Sequence, residues 1–159
     1  VEIDGVPYWD GGYMGNPPLF PLHEHAEADD ILLVQINPIR REETPRTAAE
    51  IQNRINEITF NASLLAQLRV IDQVTQMAEK GLLSRIALGG SGYRRVRLHR
   101  IGGEDQLAGL DVSSKLNAEW AFFQHLRDLG REAADVFLTA HGDDVGRRST
   151  LDLRLEFAD

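Results

Sequence analysis

The residues best suited to chemistry stand close to the start of the chain, in Tyr8-Trp9-Asp10-Gly11-Gly12-Tyr13-Met14-Gly15-Asn16-Pro17-Pro18. One carboxylate, Asp10, is set between aromatic side chains and followed by two glycines. A carboxylate can take a proton from an attacking hydroxyl, provided it is held within hydrogen-bond reach of that hydroxyl. Gly11 and Gly12 allow positive φ and let another segment approach closely. The flanking aromatics predict partial burial of the acid, which would raise its pKa toward a useful range. An Asp-Gly pair is also a common turn, and Asp10 as a simple turn residue is the competing reading.

A nucleophile to match this acid is hard to find in the same chain. Ser91 comes nearest, in Gly89-Gly90-Ser91-Gly92-Tyr93. Tyr93 stands where a nucleophile elbow requires its second glycine, and the segment reads as a turn between two strands rather than a strand-to-helix elbow. Ser63, Ser84, Ser113, Ser114 and Ser149 fit less well. The Gly89–Gly92 stretch lacks a following helix whose dipole would make it an oxyanion or phosphate loop. With no cysteine in the sequence, thiolate nucleophiles, disulfides and thiolate-bound metals are excluded.

Two other clusters invite a function. His23-Glu24-His25 could ligate zinc, but its spacing matches no helical zinc motif, so it reads as a solvated acidic loop with Asp29 and Asp30. Arg85, Arg94, Arg95, Arg97 and Arg100 form a run rich in positive charge. It reads as a solvated strand face, or as a docking patch for an anionic lipid headgroup centred on Arg95 and Arg97. His141 near a helix end suits the negative end of a helix dipole.

Secondary structure must position these groups. Val1-Glu2-Ile3-Asp4-Gly5 reads as a strand running into a turn with no lead-in, which predicts a portion of a larger domain. Ile31–Ile36 is a nearly continuous apolar run, the pattern of a strand buried on both faces, and Asn37-Pro38 ends it. Thr47-Ala48-Ala49-Glu50 is a capping box that opens a long helix. One apolar stripe runs through Ile51, Ile55, Ile58, Ala62 and Leu65, a second through Leu64, Leu68, Ile71, Val74 and Ala78. Two stripes predict a helix packed on both sides, with a bend near Asn61-Ala62-Ser63 and a stop at Gly81. Ile86–Leu88 and Arg95–Ile101 read as strands; in the second, Val96 and Leu98 alternate with Arg95, Arg97 and His99. Residues Asp111 to Ser114 offer caps for a helix that closes at Gly130, with Trp120, Phe122 and Phe123 in its core. A short helix follows over Arg131–Ala140.

The order of these features resembles the C-terminal half of a bacterial patatin-like phospholipase. The resemblance rests on Tyr8–Tyr13 with Asn16-Pro17, the strand Ile31–Ile36 and the long helix after it. It continues through Leu110-Asp111-Val112-Ser113-Ser114-Lys115-Leu116-Asn117, Trp120, Leu126–Arg131 and Gly146–Thr150. It implies an α/β fold, a partial three-layer α/β/α sandwich with a helical C-terminal part. The 159 residues would form one partial domain: 1–45 the Asp-Gly-Gly loop and core strand, 46–81 the long helix, 82–110 strands, 111–145 helices. It implies a Ser–Asp dyad acting on lipid carboxylic esters, with Asp10 as the catalytic base, Gly11 and Gly12 positioning it, and no cofactor. The serine of Gly-x-Ser-x-Gly and the oxyanion loop would lie in a missing N-terminal half, with which this chain would associate. The chain alone is then expected to be inactive. The alternative is a non-catalytic α/β interaction module.

The net charge of −8 argues against a nucleic-acid partner. No apolar run reaches the roughly eighteen residues of a membrane span, and no signal peptide is apparent. The expected location is cytoplasmic, with at most peripheral membrane contact.

Overall fold

The computed structural model describes residues 1–79, 95–103, Leu107, Leu110, Ser114 and 116–153. It is a mixed α/β structure with three α-helices and two small sheets among those residues. Strands β1 (Glu2–Ile3) and β2 (Val6–Pro7) form a short antiparallel hairpin. Its turn places Asp4 at φ 51° and Gly5 at φ 77°; asparagine and aspartate tolerate that region better than other side chains, and glycine is at home in it. A 3-10 turn over Gly11–Tyr13 and helix α1 (Phe20–His25) follow. Strand β3 (Asp30–Gln35) then leads to helix α2 (Ala48–Glu79). Strand β4 (Arg97–Gly102) and helix α3 (Trp120–His141) complete the set, with a 3-10 turn over Gly142–Asp144.

β3 and β4 pair in parallel, with Asp30 opposite Arg97, Leu32 opposite His99 and Val34 opposite Ile101. Alternation therefore divides the pair into two faces. Ile31, Leu33 and Leu98 lie on the first face and pack on Leu64, Leu68 and Ile71 of α2, with Leu19, Val96 and Leu153 closing the core. The spacing of those three α2 residues is one helical stripe, and burying each contributes about 1.5–3 kcal/mol.

α2 begins at the expected capping box. The Glu50 amide donates to Thr47 Oγ1 at 3.2 Å, and Glu50 Oε2 accepts from the Thr47 amide at 3.0 Å and the Arg46 amide at 2.7 Å. Those amide bonds hold the Glu50 carboxyl below its ordinary range. Only one of the two apolar stripes is buried. Ile51, Ile55 and Ile58 are exposed, so the expectation of packing on both sides is corrected: among the described residues no layer lies against that side. Residues 48–79 form one continuous helix through Asn61-Ala62-Ser63. Asn61 is buried there, its Nδ2 donating to the Pro38 carbonyl at 2.8 Å. The loop after β3 is further tied to α2 by Arg41, which meets Glu57 at 2.6 Å, and by Arg54 of α2, whose Nη2 donates to the Ile39 carbonyl at 3.3 Å.

β3 is buried on one face, not two. On the second face Leu32, Val34 and Ile36 are 50, 64 and 60 % exposed. Helix α3 meets this face near its C-terminal end, where Phe137 packs edge-on against His99 with ring centroids 6.2 Å apart. α3 also departs from its expected bounds. It starts at Trp120 and runs through Gly130, which costs only about 1 kcal/mol relative to alanine and is followed by helix-forming Arg131-Glu132-Ala133-Ala134. It ends at His141-Gly142 as expected. Trp120 and Phe123 are exposed rather than part of the core. The expected strand Ile86–Leu88, the Gly89–Gly92 turn with Ser91, the Gly81 stop, Arg85, Arg94 and the Asp111–Ser113 caps lie outside the described residues. No helix among the described residues is long and apolar enough to cross a membrane.

Candidate functional site

Asp10 ends the extended segment after β2, at φ −64° and ψ 121°, and caps the 3-10 turn. Its Oδ1 accepts a hydrogen bond from the Gly12 amide at 2.8 Å. A Cβ on Gly12 would stand 3.1 Å from that oxygen, so residue 12 must be small for the carboxylate to lie as it does. Gly11 has open space around it, and neither glycine has positive φ, which corrects the expected reason for the pair: close approach at residue 12 is what the turn needs. Asp10 is exposed rather than partly buried.

The carboxylate lines an open depression of about 430 Å³ together with Val1, Tyr8, Trp9 and Tyr13. Trp9 is 83 % exposed. Its ring centroid lies 6.2 Å from that of Tyr13, which in turn lies 6.2 Å from Phe60 on α2. The Val1 ammonium donates to the Tyr8 carbonyl at 3.1 Å, and the Tyr8 amide to the Val1 carbonyl at 2.7 Å, closing the rim. Downstream, Gln67 Oε1 accepts from the Leu19 amide at 2.6 Å and fastens the start of α1 to α2. The depression is thus carried on a hairpin and a short turn, with Tyr13 and Leu19 as its anchors to α2.

His23 and His25 stand on α1 rather than in a loop, and His23 is buried. No cluster able to hold a metal ion occurs among the described residues. Arg95 and Arg97 part company: Arg95 is exposed, whereas Arg97 turns its guanidinium onto Asp30.

That pairing belongs to a second polar centre, which the sequence did not announce. Arg97 Nε donates to Asp30 Oδ1 at 3.0 Å and Nη2 to Oδ2 at 2.7 Å. Asp30 Oδ1 also accepts from the Gly146 amide at 2.8 Å and meets His99 Nε2 at 2.9 Å. The bonds from Arg97 outweigh desolvation and hold the Asp30 carboxyl far below the usual carboxylate range, helped by His99 and the Gly146 amide. An ionised carboxylate only accepts, so His99 Nε2 carries a proton toward it. His99 Nδ1 lies 3.0 Å from Thr150 Oγ1, and the ring is 1 % exposed. Further along, His141 Nδ1 meets Asp144 Oδ2 at 3.3 Å, where Arg148 Nε donates to Oδ1 at 2.7 Å.

An acid, an imidazole and a hydroxyl in a row have the form of a proton relay. The surroundings point to structure instead. The Thr150 and Leu151 amides both donate to the Leu98 carbonyl at 3.0 Å, so neither is turned toward an oxyanion. The Leu98 amide donates to Ser149 Oγ at 3.1 Å. The centre clasps the Gly146–Leu151 segment along the outer edge of β4.

Asp30 and His99 were legible only in part. His99 sits opposite Val96 and Leu98 in the alternation, which suits a solvated face until the parallel partner is known. The useful signal was an acid opening one strand and an arginine opening another, because a parallel register brings strand starts together. Set against known protein families, curated proteins and solved structures, the chain matches none.

Proposed function

We propose that this chain is the aspartate-bearing part of a patatin-like lipid acyl hydrolase, with Asp10 as the base of a Ser–Asp dyad. The observation that carries the reading is the state of the Asp10 carboxylate. One oxygen is anchored by the Gly12 amide, and the residue is exposed. It stands in a depression with aromatic walls, open to a partner from outside.

In this reading the serine comes from an upstream segment of the same protein. Its oxygen attacks the ester carbonyl while its proton passes to Asp10. The tetrahedral intermediate collapses, the alcohol leaves with a proton, and water then releases the acyl group by the reverse route. Anchoring Oδ1 fixes the carboxylate so that Oδ2 is left for the hydroxyl. The half-bare second face of β3 supports the partial three-layer sandwich: parallel sheets are ordinarily covered on both faces, and among the described residues no layer covers Leu32, Val34 and Ile36. An N-terminal half that adds strands beside β3 and a layer over this face would supply it, and a cytoplasmic enzyme with peripheral membrane contact follows from the same reading.

One observation favours the rival, a non-catalytic module. Asp10 Oδ1 caps its own turn, which a purely structural aspartate would also do. Ester turnover separates the two. The chain alone should not hydrolyse a chromogenic fatty-acyl ester. The chain extended upstream through an in-frame Gly-x-Ser-x-Gly should hydrolyse it and lose turnover on Asp10→Asn. Turnover unaffected by that change would remove Asp10 from the mechanism.

A further inference from the structure

We infer that the outer edge of β3 is a self-pairing surface, on which a second copy of this chain adds its own β3 antiparallel across a two-fold axis. The backbone decides which residues face that edge. The Arg97 amide donates to the Asp29 carbonyl at 2.7 Å and the Gly103 amide to the Gln35 carbonyl at 3.2 Å. In a parallel pair every second residue of a strand bonds the same neighbour, so Asp29, Ile31, Leu33 and Gln35 turn their backbone groups to β4. Leu32 and Val34 turn theirs the other way, and among the described residues β3 pairs with β4 alone. The opposite margin of the sheet is occupied at Leu98: its carbonyl accepts from the Thr150 and Leu151 amides, and its amide donates to Ser149 Oγ. β3 therefore carries the open edge among the described residues. From Ile31 to Ile36 the chain has no charged residue and no proline, two of the devices that keep a strand edge from taking a partner.

The edge fits itself. A two-fold axis beside Leu33 sets Leu32 of each copy opposite Val34 of the other. These are the residues whose amides and carbonyls point outward, and such a pair in an antiparallel ladder exchanges an N–H to O bond in both directions. The same register brings the exposed Leu32, Val34 and Ile36 side chains into one row with those of the second copy, aliphatic against aliphatic, as cross-strand neighbours prefer. Asp30 then stands opposite Ile36. The two Asp30 carboxylates are left at opposite ends, roughly 20 Å apart, each held by its own Arg97, so no like charges are opposed. Because each copy brings one such edge, the contact closes after two chains instead of growing into a fibre. The product is a continuous sheet with β4 at each margin and the two β3 strands at its centre.

Pairing through β3 needs no role for Asp10 and is separate from the hydrolase reading. In that reading upstream strands take the same edge, so the chain by itself is the form in which two copies meet. Sedimentation equilibrium from about 1 μM to about 1 mM, the range suited to a small interface, should show monomer passing to dimer and going no further. Hydrogen exchange read by mass spectrometry should slow over residues 30–36 across the same range. Val34→Pro removes an outward N–H and leaves the bonds to β4 in place, as proline on an edge strand does. Val34→Lys sets a charge on each side of the axis. Each should weaken the dimer by about tenfold or more, whereas Val6→Lys, at another exposed valine, should dimerise like the wild type. Thermal unfolding reports whether each variant folds, and Val34→Lys decides if the proline variant does not. A chain that stays monomeric over the whole range, growth past the dimer, or a dimer that the folded Val34 variants leave intact overturns the proposal.

Discussion

Arg97 grips Asp30 through two parallel bonds, Nε to Oδ1 at 3.0 Å and Nη2 to Oδ2 at 2.7 Å, across the register that pairs β4 with β3. The same oxygen that takes Nε also takes His99 Nε2 and the Gly146 amide. One carboxylate thereby joins both strands of the parallel pair to the segment that follows α3. Asp30→Asn leaves Arg97 only the more distant Asp29 carboxylate, at 3.7 Å, and removes the charge that gathers His99 and the Gly146 amide, so it should lower stability. Urea midpoints for the two proteins check this.

The pH dependence of stability has a defined sign. The folded-state pKa of Asp30 is depressed, so its contribution is fully present above the unfolded value near 3.9 and is lost as pH falls below it. Glu50 and Glu57 are also depressed and act in the same direction. Unfolding free energy measured from pH 7 to pH 3 should fall steeply below about pH 4.5, and the Asp30→Asn protein should fall less.

Thr150→Val should destabilise the fold by about 1–3 kcal/mol, because His99 Nδ1 would be left buried with no partner. Thr150→Ser restores the hydroxyl and should recover most of the loss. The pair is read by thermal unfolding; equal melting temperatures for Val and Ser would show that the hydroxyl contributes nothing.

Glycines 11 and 12 should respond differently. Gly12→Ala puts a Cβ 3.1 Å from Asp10 Oδ1 and must displace the carboxylate, whereas Gly11→Ala meets only open space. In the proposed full-length hydrolase the first should lower kcat by about tenfold or more, as a misplaced catalytic group does, and the second should be close to neutral. Both proteins should keep nearly the same melting temperature, since the turn is exposed.

Much of this architecture was legible in the sequence, and the misreadings share a cause. The capping box of α2 was visible because it is made by neighbours in sequence: Thr47, Glu50 and their own amides. The strands β3 and β4 were visible for the same reason, as short apolar or alternating runs. What covers an element was not. Ile51, Ile55 and Ile58 have the spacing of a buried stripe, and Leu32, Val34 and Ile36 complete an apolar run, yet their side chains lie bare among the described residues. Periodicity reports the surface an element offers, while burial depends on whether a partner is there to receive it. The Asp30 centre was hidden because its members are separated by 67 and 69 residues and meet only through a parallel register. At Gly130 a local signal was overridden, since helix-forming residues on both sides outweigh one glycine.

The central claim is that Asp10 activates a serine supplied by another segment, and active-site labelling tests it most directly. The protein extended upstream to include a Gly-x-Ser-x-Gly segment is treated with a fluorophosphonate probe, as wild type and as Asp10→Asn. The account predicts stoichiometric labelling of that serine in the wild type and labelling slowed by about a hundredfold or more in the variant, the scale of a lost general base. Equal labelling rates in the two proteins, or no labelling of either, would contradict it.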